Sequence, residues 1–307
     1  MDTVILQHVS KSYVKAGPPA LEDVSFSVKK GELFGLIGPD GAGKSTIFRI
    51  LTTLLLSDKG TATVAGYDVV KHYHEIRSCV GYMPGKFSLY QDLTIEENLH
   101  FFATLFGTTV AANYALIKDI YEQIAPFKNR RAGKLSGGMK QKLALCCALI
   151  HRPEVLFLDE PTTGVDAVSR REFWEMLQRL KREGITIVVS TPYMDEASLC
   201  ERIALIQTGR ILSIDTPANI ISAYPGKLYA LMAAKVHLLL KDTRQYAGIA
   251  QCYAAGDTLH LSFKNEETDH PAALLSWLES KGHQGVHIKA ITPDIEDCFI
   301  AKTSIHE

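Results

Sequence analysis

The chain has 307 residues, enough for one large domain and a smaller one, and 46% of them are hydrophobic. Its 33 basic and 34 acidic residues leave a net charge of −1, which disfavours a role in binding nucleic acid or an anionic membrane surface. We find no charged-then-apolar leader and no apolar run near the ~18–20 residues that span a bilayer, so we expect any membrane function to come through a partner.

The N-terminal segment predicts two strands, at residues 4–6 and 24–28, on either side of a Gly-Pro-Pro turn at 17–19. Tyr13 lies between them, shortly before a glycine-rich loop. Its ring could stack on an adenine base, or it could be an ordinary tyrosine at a strand edge.

The glycine-rich loop has the phosphate-loop pattern, in which two glycines bracket four residues and are followed by Lys and Ser or Thr. The predicted ATP-binding residues of this loop are Gly38, Pro39, Asp40, Gly41, Ala42, Gly43, Lys44, Ser45 and Thr46. Its glycines let the backbone curl so that N–H groups face an anion. Lys44 would reach the β- and γ-phosphates, and the Ser45 hydroxyl would bind Mg²⁺. The apolar run 33–37 before the loop predicts a buried strand, and 47–51 continues as a helix.

In the middle of the chain, the sequence pattern changes from one typical of strands to one typical of helices. Residues 60–64 and 78–82 predict short strands, and the pattern from 93 to 149 is helical, with Thr94 and Glu97 as a capping box. We therefore predict a helical subdomain at about 86–150, inserted into a nucleotide-binding core.

A second glycine-rich helix start lies inside this helical region. Ser136, Gly137 and Gly138 precede a helix predicted at 140–150, and their amides could bind a phosphate group. Taken alone, the same three residues also fit a common helix cap.

Two carboxylates follow the apolar run 155–158, which predicts a buried strand of a parallel sheet. Asp159 would hold Mg²⁺, and Glu160 would orient or deprotonate the attacking water. Another buried strand is predicted at 185–190, directly before Thr191 and Pro192.

The C-terminal segment predicts a small α+β domain at 227–307, after a linker at 223–226. Its predicted strands are 228–232, 249–253, 258–263 and 286–289, and its predicted helices are 271–280 and a last one from about 292. We find no constellation of ligand-binding residues in it.

These motifs, in this order, resemble the nucleotide-binding cassette of ABC transporters over about residues 1–222. The sequences of residues 81–84, 92–99 and 193–197 are similar to those of bacterial multidrug-efflux cassettes, and the sequence of residues 132–142 resembles the first half of fused two-cassette members. The resemblance implies an α/β fold, with a phosphate-loop NTPase core, an antiparallel β subdomain and a helical subdomain.

The resemblance also implies a function: an ATPase subunit of an ABC exporter that uses ATP and Mg²⁺, with Lys44 and Glu160 as catalytic residues. Its partners would be integral-membrane permease subunits and a second cassette, identical or different, with no nucleic acid. Each ATP would lie between one chain's phosphate loop and the other chain's Ser136–Gly138 element, with Tyr13 on the adenine. Six cysteines without metal-ligand spacing suit a cytosolic protein, so we expect it at the cytoplasmic face of the inner membrane.

Two positions depart from the family pattern. The family has Gln where this chain has Gly85 and His where it has Pro192, and neither Gly nor Pro offers a side-chain donor or acceptor. We therefore predict a chain that binds ATP, hydrolyses it slowly at its own loop, and completes a competent site on a different cassette. A homodimer in which neighbouring groups substitute is the alternative.

Two other readings remain open from the sequence: a soluble ABC-type ATPase acting on ribosomes or DNA, and a nucleotide-sensing regulatory subunit without turnover. The first usually has tandem cassettes or a long coiled coil, which the sequence lacks. The sequence does not identify the transported substrate, because nothing in a cassette touches cargo.

Overall fold

The protein is described here by a computed structural model that covers residues 1–14, 17–233, 236–265 and 270–303. It divides into two compact units, Met1–Pro217 and Ala218–Glu307. The division falls at the start of a short helix, just before the linker expected at 223–226.

The first unit contains ten strands and six α-helices among its described residues. The strands are β1 Asp2–Lys11, β2 Leu21–Lys29, β3 Leu33–Ile37, β4 Lys59–Val64, β5 Tyr67–Asp68, β6 Val80–Met83, β7 Val155–Asp159, β8 Thr186–Thr191, β9 Arg202–Gln207 and β10 Arg210–Asp215. The helices are α1 Lys44–Leu51, α2 Tyr73–Cys79, α3 Ile95–Leu105, α4 Tyr114–Tyr121, α5 Gly137–Leu149 and α6 Ala167–Arg182. A 3₁₀ segment, Met194–Leu199, follows β8.

The central sheet has the strand order β10-β9-β3-β8-β7-β6. Neighbouring strands from β9 to β6 run parallel, and β10 is antiparallel to β9. Every residue of β3, β7 and β8 is buried. This explains why each contains a stretch of consecutive apolar residues, with polar residues only near the ends of β7 and β8, instead of an alternating pattern. Because they are adjacent and parallel, the residues that follow each of them meet at one edge of the sheet.

A second sheet, ordered β2-β1-β4-β5, is antiparallel throughout. Strand β2 alternates between buried and less buried residues, as its sequence predicted. The antiparallel β subdomain is therefore confirmed.

The helical subdomain is also confirmed. Helix α3 begins with the expected capping box, in which Glu97 N donates to Thr94 Oγ1 at 3.2 Å and Thr94 N donates to Glu97 Oε2 at 2.8 Å. Helices α3 and α4 both pack against α5.

Two local expectations were wrong. Ser78 and Cys79 end helix α2 instead of beginning a strand, and the ladder starts only at Val80, which pairs with Val155. Helix α5 starts at Gly137 rather than Lys140, because Ser136 caps it and accepts a hydrogen bond from Met139 N.

The second unit is a βαββαβ arrangement of the ferredoxin-like type. After α7 Pro217–Ser222 come β11 Leu228–Met232, α8 Val236–Thr243, β12 Ile249–Ala255, β13 Thr258–Phe263, α9 His270–Ser280, β14 His287–Ile291 and α10 Ile295–Thr303. The sheet order is β12-β13-β11-β14, all antiparallel. Helix α8, which has only eight residues, was not predicted from the sequence. Among the described residues, no helix is both long and apolar enough to cross a membrane.

Candidate functional site

The phosphate loop runs from the end of β3 to the start of α1 and depends on its glycines. Gly41 and Gly43 have φ angles of 79° and 106°, which L side chains rarely adopt. A Cβ at Gly38 would lie 2.1 Å from Ile206 O, so only glycine fits there. The loop therefore has the backbone shape of an anion nest at a helix N-terminus.

Lys44 is the first residue of α1, and its side chain turns back over the loop. Its ammonium donates to Gly38 O at 2.7 Å and to Pro39 O at 3.0 Å, and it lies 3.2 Å from Glu160 Oε1. The residue is only 3% exposed. A cation fixed inside the loop curve can bind a polyphosphate as a preorganised charge.

Asp159 is the last residue of β7, and Glu160 follows it directly. Strand β8 lies between β7 and β3 in the central sheet. Asp159 is 4% exposed, and its Oδ1 accepts a hydrogen bond from Ser190 Oγ at 2.7 Å. Glu160 N donates to the same Ser190 hydroxyl at 3.0 Å. Burial, and to a lesser extent the nearby Asp159 carboxylate, raises the pKa of Tyr82 to about 12.

The remaining loop residues are arranged around the start of α1. Tyr13 is 56% exposed, and its hydroxyl lies 3.2 Å from Thr46 Oγ1. Ser45 is half-buried at the first helical turn, and Pro39 and Asp40 are exposed. The structure therefore places the Tyr13 ring at the surface beside the loop, where a flat base could stack on it.

Gly85 and Pro192, the two departures, both lie at this same edge. A Cβ at Gly85 would lie 3.2 Å from Asp159 O and 3.9 Å from Asp159 Cγ. Pro192 follows Thr191, whose carbonyl accepts a hydrogen bond from Gly38 N at 3.3 Å. Side chains at these two positions would start beside the carboxylates and the loop, respectively.

In the part of the chain that the structure describes, no hydrogen bond joins the Ser136–Gly138 element to the phosphate loop. A Cβ at Gly137 would lie 3.3 Å from Gly164 O, and one at Gly138 would lie 2.7 Å from Ser169 Oγ. This helix start therefore packs against the loop and helix that follow Glu160. Ser136 and Gly137 are exposed, so their polar groups can face a molecule outside this chain.

Sequence reasoning missed the polar residues that support the two carboxylates, namely Ser190, Thr191, Thr162 and Glu196. Hydroxyls at the end of an otherwise apolar strand were the available signal. No group of three His, Cys, Asp or Glu residues in the described parts of the chain could hold a metal. A Mg²⁺ ion here would need Asp159, the Ser45 hydroxyl and oxygens of the nucleotide itself.

Comparisons with known proteins agree with the nucleotide-binding site that the geometry indicates. The sequence model of a family described as ABC transporter matches residues 21–163. The probable multidrug ABC transporter ATP-binding protein YbhF of Escherichia coli is 38% identical over 97% of this chain and 52% of its own length. The chain therefore spans about half the length of that relative.

A second relative is matched over nearly its whole length. The daunorubicin resistance ATP-binding protein DrrA2 of Streptomyces coeruleorubidus is 34% identical over 92% of this chain and 90% of its own. Among solved structures, a dimeric ATP-binding cassette in a post-hydrolysis state, bound to ADP and Pi, is 26% identical. It superposes with a TM-score of 0.63 over 69% of this chain and 98% of its own.

Proposed function

Because the chain belongs to the ABC transporter family of ATP-binding cassettes, we propose that it is the ATP-binding subunit of an exporter of drugs or other small molecules. It would work as an ATPase at the cytoplasmic face of the inner membrane, held there by permease subunits. The names of YbhF and DrrA2 support an exporter over a soluble ATPase or a nucleotide-sensing subunit.

One observation carries this proposal: the buried Lys44 ammonium, held by two loop carbonyls, lies 3.2 Å from the Glu160 carboxylate. A triphosphate in the loop would bind the loop amides and Lys44, with its terminal phosphate beside Glu160. Glu160 would then orient or deprotonate the attacking water, and Ser45 and Asp159 would hold Mg²⁺. The metal would neutralise part of the negative charge on the phosphate oxygens.

The transport step would use a second cassette. The exposed Ser136–Gly138 element suits a phosphate bound on the phosphate loop of another chain, and a head-to-tail pair would complete each site in this way. ATP binding would favour the closed pair and hydrolysis would favour the open pair, so that the permease is driven by the difference in affinity between the two states.

We further propose that the chain's own ATP site is weak in hydrolysis. Gly85 and Pro192 leave the edge beside Asp159 and Gly38 without two polar side chains, while Lys44, Asp159 and Glu160 are all present. A different cassette with an intact edge would then perform most of the turnover, using Ser136–Gly138 of this chain.

The permease would dock in an apolar groove of the first unit. The groove has a volume of about 580 Å³ and begins next to Gly85. It is lined by Met83, Pro84, Phe87, Phe102, Leu105, Phe106 and Ala144, among others. Leu105 is 62% exposed at its rim, and a helix or loop of the permease could bury it.

We expect Leu105→Glu to reduce association with the permease by about tenfold or more, since a charge would replace an apolar contact of about 1.5–3 kcal/mol. The measurement is the amount of permease recovered with the tagged chain from detergent-solubilised membranes. ATP affinity should be unchanged, because Leu105 lies outside the phosphate-binding residues.

The matched control is Leu238→Glu, which places the same charge on a 46% exposed leucine of helix α8. It should leave permease recovery unchanged. Equal recovery with the wild-type and Leu105→Glu chains would show that this groove is not the docking site.

A further inference from the structure

A buried carboxylate lies behind the candidate site and takes no direct part in it. Glu196, in the 3₁₀ segment Met194–Leu199, is only 2% exposed. Its Oε2 accepts hydrogen bonds from Thr191 Oγ1 at 2.5 Å and from Thr162 Oγ1 at 3.1 Å. Both threonines are buried as well, at 0% and 1% exposure. One carboxylate oxygen therefore joins the end of strand β8 to the turn that follows Glu160.

The charge of Glu196 is balanced from the other side. Arg170 Nε lies 3.7 Å from Glu196 Oε1, and the Arg170 guanidinium lies 4.2 Å from the centre of the Tyr193 ring. A buried carboxylate is costly unless it is both paired and hydrogen-bonded. Here Oε2 is hydrogen-bonded twice, and Oε1 has the Arg170 guanidinium within ion-pair distance but no hydrogen bond among the described residues.

Glu196, Thr162 and Thr191 form a hydrogen-bonded network with two branches, and the branch through Thr162 leads to Glu160. Thr162 belongs to the turn that follows Glu160, in which Thr163 N donates to Glu160 O at 3.2 Å and Val165 N donates to Thr162 O at 3.3 Å. Glu160 itself has a φ of 50°, which is unusual for a residue with a side chain. Such a backbone persists only where the surrounding contacts hold it.

The second branch leads to the phosphate loop. The Thr191 hydroxyl also accepts a hydrogen bond from Tyr193 N at 3.1 Å, and the Thr191 carbonyl accepts one from Gly38 N at 3.3 Å. Thr191 is thus held on its side chain by Glu196 and bonded through its backbone to the first residue of the loop.

We propose that Glu196 is a positioning residue for ATP hydrolysis, which acts through Thr162 to hold the Glu160 backbone in its strained conformation and through Thr191 to hold the entrance of the phosphate loop. The proposal rests on the function proposed above. Ser190 supports the backbone N–H of Glu160, and the Glu196 network supports the turn that follows it.

The test compares two substitutions at Thr162. Thr162→Val keeps the shape of the side chain but removes the hydroxyl, whereas Thr162→Ser keeps the hydroxyl. With the purified chain in excess over γ-labelled Mg-ATP, we expect Thr162→Val to lower the single-turnover rate by about 10- to 100-fold, since small misplacements of a reacting group cost this much. Its dissociation constant for ATP should stay within about twofold of wild type, and Thr162→Ser should retain the wild-type rate.

Glu196→Gln removes the charge that faces Arg170 and puts an NH₂ group in place of one acceptor oxygen, so it should lower the rate by a similar factor. Adding Thr162→Val to it should lower the rate little further, since both changes act on the same contact between Glu196 and Thr162. Asp195→Asn is the matched control. Asp195 is the neighbouring residue and also lies near Arg170, at 3.8 Å, but its side chain is 75% exposed. It should leave both rate and affinity unchanged.

The two proposals can fail separately. A wild-type chain that binds ATP and hydrolyses it, with rates unchanged in Thr162→Val and Glu196→Gln, overturns the role of Glu196 alone. A wild-type chain that binds no ATP overturns the proposed function and this inference with it.

Discussion

The substitutions Gly85→Gln and Pro192→His, made together, are expected to raise ATP turnover by the isolated chain about 100-fold, because one preorganised transition-state contact is worth about 10²–10³ in rate. The structure can accept the change. Gly85 is exposed, and its φ angle lies outside the left-handed region that only glycine adopts easily. A side chain there therefore needs only a shift of a few tenths of an ångström to relieve the 3.2 Å contact between its Cβ and Asp159 O. Steady-state release of inorganic phosphate measures the effect.

The control for this gain is the pair Gly85→Ala and Pro192→Ala. It adds a Cβ at each position and removes the proline ring, but it supplies no polar group, so we expect no increase. A wild-type chain that already turns over ATP rapidly, with no gain in the Gln/His variant, would favour the homodimer in which neighbouring groups substitute.

Lys44→Met should weaken ATP binding by about 10²-fold, since a hydrogen bond to a charged group contributes about 1.5–3 kcal/mol. The loss has two sources. The ammonium is removed from the phosphates, and the two loop carbonyls of Gly38 and Pro39 lose the donor that holds them at 2.7 and 3.0 Å. Equilibrium dialysis with labelled Mg-ATP measures the dissociation constant.

Lys181→Met is a suitable control for the loss of one paired lysine. Lys181 is on helix α6, away from the phosphate-binding residues, and its side chain is 27% exposed. Its Nζ lies 2.6 Å from Glu201 Oε1. Its substitution should leave the affinity for ATP at the wild-type value. Unchanged affinity in Lys44→Met would place the nucleotide elsewhere than the phosphate loop.

The core of the fold could be predicted from the sequence because its signals are local. The apolar run before Gly38 and the one before Asp159 are buried strands, and Thr94 with Glu97 forms a capping box, as their residue types require. Helix α8 was missed because eight residues of mixed polarity give a weak helical period.

The candidate site was predictable only in part, for a physical reason. Lys44, Asp159 and Glu160 belong to short motifs whose spacing carries their chemistry. Glu196 and Thr162, in contrast, are 34 positions apart and meet only through the fold, so no local pattern connects them. Gly85 and Pro192 were assigned to one site by the family resemblance, and the order β8-β7-β6 in the central sheet is what brings them to the same edge.

The most direct test of this account is the steady-state ATP turnover of the assembled exporter, with permease and second cassette, when this chain carries Glu160→Gln. We predict turnover within about twofold of the wild-type complex, since the productive site would be the one on the other cassette. Ser136→Arg in this chain should instead abolish turnover, because it blocks the element that completes that site. Collapse of turnover with Glu160→Gln would contradict the account, and it would show that this chain's own site performs the hydrolysis.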